Sequence, residues 1–145
     1  MAENSPLRDT VSNLVVFDTS ILIDHLRTGR YDEKMENISG LIRTSSVVLA
    51  ELWRGATKPA ERSFLKALEK NHPILTPTEK NWIESGQILS KVHSDRGYLP
   101  QKLRDLHFDV LIALTVRSHS ARLITSNGAD FQLIREYRDF YLEVW

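Results

Sequence analysis

The stretch Leu14-Val15-Val16-Phe17-Asp18-Thr19-Ser20-Ile21-Leu22-Ile23 decides the fold. Its first four residues form a short apolar run with two β-branched members, and they read as a strand buried on both faces. From Ile21 the apolar residues return at helical spacing through Leu26, and Gly29 closes the segment. A buried strand that passes directly into a helix opens an α/β domain, and the alternation recurs down the chain. The pattern predicts a short helix over 32–38 and a strand over 41–44. Ser45 and Ser46 offer capping oxygens to a helix that runs through Trp53 and ends near Gly55. Pro59 fits the first turn of the next helix, with Phe64, Leu65 and Leu68 on its apolar face. A strand is expected over 72–75, and a long helix from Thr78 to Gly97. A further helix over 103–118, a strand over 122–125, a short helix over 130–134 and a strand over 140–144 complete the chain. Strands alternating with helices imply parallel pairing, hence a three-layer α/β/α domain around a central, mostly parallel sheet. Residues 1–13 are polar and read as an N-terminal arm, with the domain spanning 14–145.

Composition narrows the chemistry. The 145 residues suit one domain with its own core. Lysine plus arginine and aspartate plus glutamate each number 19, so the formal net charge is zero. That balance argues against a protein that holds nucleic acid by bulk positive charge, while leaving a local basic rim open. No cysteine is present, which excludes disulfides, thiol nucleophiles and cysteine-ligated metal centres. The first residues lack the order of a signal peptide, and no apolar run nears the roughly 18–20 residues of a membrane span. A cytoplasmic protein with no membrane partner is expected.

Most acidic residues have polar neighbours and read as solvated helix faces. Four do not. Asp18 stands at the junction of the first strand and helix, where it could also serve as an N-cap. Glu51 lies within Val47-Val48-Leu49-Ala50-Glu51-Leu52-Trp53, and Asp109 within Phe108-Asp109-Val110-Leu111-Ile112-Ala113-Leu114. A carboxylate in such surroundings costs several kcal/mol unless paired, hydrogen-bonded or bound to a metal. A partner arginine, or one exposed edge of the helix, would explain each of these equally well. Asp130 follows Ile124-Thr125-Ser126-Asn127-Gly128-Ala129, where an Asn-Gly turn and a capping aspartate are the plain alternative. Their joint placement is what carries weight. Each can converge on one end of a parallel sheet, where ligand sites form. Carboxylates gathered there repel one another unless cations intervene, and oxygen-only donors suit Mg²⁺, with Mn²⁺ also possible. Metal-assisted phosphodiester hydrolysis follows most directly.

These segments carry a family resemblance. Val16-Phe17-Asp18-Thr19-Ser20, Ser46-Val47-Val48-Leu49-Ala50-Glu51-Leu52, Phe108-Asp109-Val110-Leu111-Ile112-Ala113 and Thr125-Ser126-Asn127-Gly128-Ala129-Asp130-Phe131 resemble, in order, the motifs of a PIN domain. The match is closest to the VapC-type toxins of bacterial toxin–antitoxin systems and spans the chain from Leu14 onward. Val110 and Leu114 stand where small alanines are common in relatives.

The resemblance implies a magnesium-dependent endoribonuclease whose acidic set is Asp18, Glu51, Asp109 and Asp130, with Thr125 beside the pocket. Asp18 and Asp109 would bind the principal ion, and Glu51 would add a direct or water-mediated contact. Asp130 would orient a water or help to hold a second ion. Attack by water would leave a 5′-phosphate and a 3′-hydroxyl. Transfer RNA or ribosomal RNA loops are the implied substrates, and a homodimer and a cognate antitoxin protein are the implied assembly. The segment 38–68 is the candidate antitoxin groove. Arg43, Arg54, Lys58, Arg62, Lys102 and Arg104 are candidate phosphate contacts at the rim, and each is also explained as a solvated helix charge. The five histidines show no metal-ligand spacing. A PIN-like module that binds RNA or a partner without cleaving is the alternative function. An RNase H-like fold is disfavoured because it opens on consecutive antiparallel strands. A DEDD exonuclease would need an acid where Ser20 stands.

Overall fold

The computed structural model describes residues 13–145, so the arm expected over 1–13 lies outside the described residues except for Asn13. Five strands form one sheet in the order β3-β2-β1-β4-β5, and every neighbouring pair is parallel. The strands are β1 (Leu14–Phe17), β2 (Leu41–Ser45), β3 (Ile74–Leu75), β4 (Arg122–Thr125) and β5 (Tyr141–Val144). Seven helices connect them: α1 (Thr19–Arg27), α2 (Asp32–Glu36), α3 (Ser46–Gly55), α4 (Pro59–Asn71), α5 (Glu79–Arg96), α6 (Pro100–Ser118) and α7 (Gly128–Arg135). The sheet expected to be mostly parallel is wholly so among the described residues.

Sequence chemistry accounts for the main elements. Val15, Val16 and Phe17 are all buried, as the central strand of a sheet covered on both faces requires. The Ser45 hydroxyl accepts from the backbone N–H groups of Val47 and Val48 and so starts α3. Thr78 and Asn81 exchange side-chain and backbone bonds to open α5. Gly97 closes it in the left-handed region at φ 65°, which favours glycine.

Two groups of helices pack among themselves, α1 with α3 and α4, and α5 with α6 and α7. Chain progress on opposite sides of β1 makes right-handed crossovers lay these groups on opposite faces of the sheet. The core between them includes Ile21, Val48, Leu65, Leu106, Leu111, Ile112, Leu123, Ile124 and Phe131. Val110 and Leu114, the departures from the small residues of relatives, are both buried within it.

The order of strands has one consequence for function. From β1 the chain moves to one side, through β2 and β3, and later returns to the other side through β4 and β5. The crevice beyond the carboxyl ends of β1 and β4 is therefore the switch point of the sheet, where no connection crosses.

Candidate active site

Asp18 and Thr125 stand at this switch point, immediately after β1 and at the end of β4. The Thr125 hydroxyl donates to Asp18 Oδ2 at 2.8 Å, and the Ser20 hydroxyl donates to the same oxygen at 2.9 Å. Backbone groups lock the donors in turn. Ser126 N–H donates to Ser20 Oγ and Asn127 N–H to Thr125 Oγ1, each at 3.0 Å. Asp18 thus holds its orientation through Oδ2, and its side chain does not cap α1. The capping alternative is set aside.

Glu51 reaches the same place from the middle of α3, which meets both α1 and α6. It is half-buried, and the Thr19 hydroxyl donates to its Oε1 at 2.9 Å. Burial raises its pKa first and the charge of Asp18 adds to the rise, while the Thr19 bond and the charge of Arg54 oppose it.

Asp109 sits at the middle of α6 and makes no hydrogen bond or ion pair among the described residues. Burial pushes its pKa from an ordinary 3.8 up to about 8, with further upward contributions from Asp18, Glu51 and Asp130. Lys102 opposes that rise. The partner arginine that would have explained Asp109 structurally is not found. Asp130 comes from the first turn of α7, where an acidic side chain is favoured by the helix N-terminus. Its Oδ1 accepts from Lys102 Nζ at 3.2 Å. A Cβ on Gly128 would stand 2.9 Å from Val144 Cγ2, so this turn packs closely on β5 as only glycine permits.

All four sequence-selected acids act on one another at one end of the sheet. Among the described residues they do not form a ready-made group of three metal-ligating side chains. Glu51 is turned to Thr19 and Asp130 to Lys102. The donor chemistry nonetheless fits a divalent cation: oxygen atoms only, mutually repelling, with burial and the neighbouring acids raising the Asp109 pKa.

The basic candidates divide. Lys102 belongs to the pocket itself. Arg54 is exposed near Glu51, with its guanidinium 5.7 Å from the centre of the Phe108 ring. Arg43 donates to the Ile42 carbonyl, Arg62 to the Thr57 carbonyl and Arg104 to Gln101, all local contacts. Lys58 is exposed at the N-cap of α4. Beside Glu51 a hollow of about 100 Å³ opens between α1, α3 and α4, lined by Ile23, Leu26, Arg27, Leu52 and Leu65 among others. It falls partly within the expected antitoxin segment, but Arg27 on α1 was not foreseen. Only its place on the helix face of Ile23 could have signalled it.

Four of the five histidines have structural partners: His25 with Asp32, His93 with the Tyr98 carbonyl, His107 with Ser85 and His119 with the Thr115 carbonyl. Trp145 packs on Phe17 and Tyr31, Trp53 lies half-buried against the core, and Trp82 remains half-exposed with its ring edge-on to His107.

The model of one family, described as PIN domain, matches residues 15–137. The chain belongs to the PIN domain family. Solved structures agree in fold. A chain of VapBC2 from Rickettsia felis, crystallised bound to a DNA fragment from its promoter, is 23% identical. It superposes with TM-score 0.69 over 91% of this chain and 98% of that one. VapBC-5 from Mycobacterium tuberculosis, a member of the VapBC family of toxin-antitoxin systems, gives 20% identity and TM-score 0.62 over 92% and 99%. A toxin-antitoxin complex from Klebsiella pneumoniae gives 26% identity and TM-score 0.55 over 81% and 89%. Among curated proteins no sequence match was found. The PIN domain is thus the α/β domain that the four motifs implied. No helix among its described residues is long and apolar enough to cross a membrane.

Proposed function

We propose that this PIN domain is a metal-dependent endoribonuclease of the VapC type, the toxin of a toxin–antitoxin pair. The observation that carries the reading is Asp109. A half-buried carboxyl with no hydrogen-bond or ion-pair partner among the described residues, acted on by three other acids at the switch point of the sheet, costs stability. Such a group is retained where its charge is used.

Asp18, Asp109 and Glu51 would hold Mg²⁺ or Mn²⁺, with Asp130 beside them. When bound, a divalent ion supplies a water of lowered pKa and offsets charge on the phosphate under attack. The chain's own groups do the rest. Ser20 and Thr125 fix Asp18 in one rotamer, and Thr19 fixes Glu51, so the carboxylates need little rearrangement when the substrate arrives. Arg54 and Lys58, both exposed, would hold RNA phosphates. The hollow between α1, α3 and α4, lined by Ile23, Leu26, Leu52 and Leu65 together with the charged Arg27, Glu51 and Glu61, would seat an antitoxin segment, and solved relatives include toxin–antitoxin complexes. A homodimer working in the cytoplasm belongs to the same reading.

The test is cleavage of transfer RNA and ribosomal RNA by the purified protein, with and without Mg²⁺, beside Asp18→Ala and Asp109→Asn. Mg²⁺-dependent fragments bearing 5′-phosphates, absent from both variants, are expected. Equal cleavage by Asp109→Asn would overturn the assignment. Binding of RNA with no metal-dependent cleavage would leave the silent module in its place.

A further inference from the structure

We propose that Lys102 is the built-in counter-cation of the acidic pocket: it withdraws Asp130 from the metal-binding set and limits the site to one divalent ion. The inference rests on the metal-dependent reading above and deepens it.

Position comes first. Lys102 and Asp109 are seven residues apart on α6, two helical turns, so both project from the same helix face toward the end of the sheet. The long lysine stem carries Nζ to 3.2 Å from Asp130 Oδ1, across from α6 to α7. The Tyr98 ring lies 6.0 Å from the same ammonium and offers it a second, weaker hold. The two side chains are 42% and 29% exposed, so the pair is only partly shielded from solvent.

The four acids are then unequally compensated. Asp130 has an ammonium partner and stands in the first turn of α7, where free backbone N–H groups favour negative charge. Asp18 has two hydroxyl donors, and Glu51 has one. Asp109 has none among the described residues. A divalent cation therefore gains most among Asp18, Asp109 and Glu51. To use Asp130 it must first displace Lys102. A second cation entering there would meet the ammonium at short range, with no new carboxylate as recompense. The sequence also admits Lys102 as a rim contact for RNA; its bond to Asp130 gives it work inside the pocket.

The experiment is calorimetric titration of the metal-free full chain with Mn²⁺, which reads binding without reference to cleavage. Wild type and Lys102→Arg, which keeps the cation, should each bind one ion per chain. Lys102→Gln should bind two, and its first ion should bind about fivefold tighter once the ammonium is gone. Circular dichroism melts of each metal-free variant check that it is folded, which substitution of a half-exposed lysine permits. Two ions on wild type would overturn the proposal, as would a Lys102→Gln titration identical to that of wild type. If wild type binds no Mn²⁺ at all, the metal-dependent reading fails and takes this one with it. One ion on both wild type and Lys102→Gln at equal affinity sinks the lysine's role alone.

Discussion

Two regions of this molecule enclose polar side chains, and they are built on opposite terms. In the seam between α5 and α6, Asn81 and Ser85 are almost wholly buried, yet each is answered. Asn81 pairs with Thr78 and Ser118, and Ser85 pairs with the Trp82 carbonyl and His107. At the carboxyl end of the sheet, Asp109 is enclosed with like charges and no partner among the described residues. The seam converts polar groups into fixed geometry at little electrostatic cost. The pocket leaves the Asp109 carboxyl without a partner, a place that a divalent cation would fill under the proposed function. One region stabilises the fold, while the other draws on that stability.

The contrast is broken most severely at Asp109. Asp109→Asn should lower metal-dependent RNA cleavage by about 10²–10³-fold, while the metal-free protein melts at a higher temperature than wild type. Its pH dependence follows by sign. The folded protein keeps the Asp109 proton up to about pH 8, whereas the ordinary carboxyl loses it near 3.8. Metal-free stability contributed by this group is full below that lower value and is lost as pH rises through about 8. Chemical denaturation of the metal-free protein at several pH values should show this decline. Asp109→Asn should flatten it, and an unchanged slope would refute the account. Excess Mg²⁺ should also flatten the decline in wild type by favouring the ionised form.

A change in the seam should do the reverse. Asn81→Ala should cost about 1–2 kcal/mol of stability, since the nearly buried Asn81 amide supplies half of the capping box that opens α5. Its kcat at a temperature where it remains folded should match wild type. A matched loss of activity without a loss of stability would erase the division of labour.

Thr19→Val makes a finer cut, because the Thr19 hydrogen bond is the larger of the two influences that lower the Glu51 pKa. Cleavage should fall most at acidic pH and recover toward alkaline pH as Glu51 ionises. A uniform loss at all pH values would show that Thr19 acts by packing instead. The smallest effect belongs to Arg54→Ala. RNA affinity should drop about two- to threefold, and the slope of log affinity against log salt should shallow by about one.

Much of this was legible in the sequence because burial writes itself into composition. Leu14-Val15-Val16-Phe17 could only be an inner strand, and the alternation that follows it specified a parallel sheet. The four acids stood out because apolar flanks make a carboxylate conspicuous. Boundaries were blurred where terminal turns lack apolar markers. The α6 helix begins at Pro100, three residues before its first apolar contact at Leu103, and β3 contracts to Ile74–Leu75. Partners were the least legible. The bond from Lys102 to Asp130 joins residues whose neighbourhood exists only once α6 and α7 have docked. A charged residue on a helix looks the same in sequence whether it faces water or a carboxylate.

The register of β1 against β4 has a consequence in time. Val15, Val16 and Phe17 pair with Arg122, Leu123 and Ile124, partners 107 residues apart along the chain. Such a pairing is costly in loop closure and forms late in folding. Until it forms, Asp18 and Thr125 are strangers. No fragment ending before β4 can assemble the pocket, even though it carries Asp18, Glu51 and Asp109. A nascent chain should therefore be unable to assemble this pocket until β4 and α7 have been made.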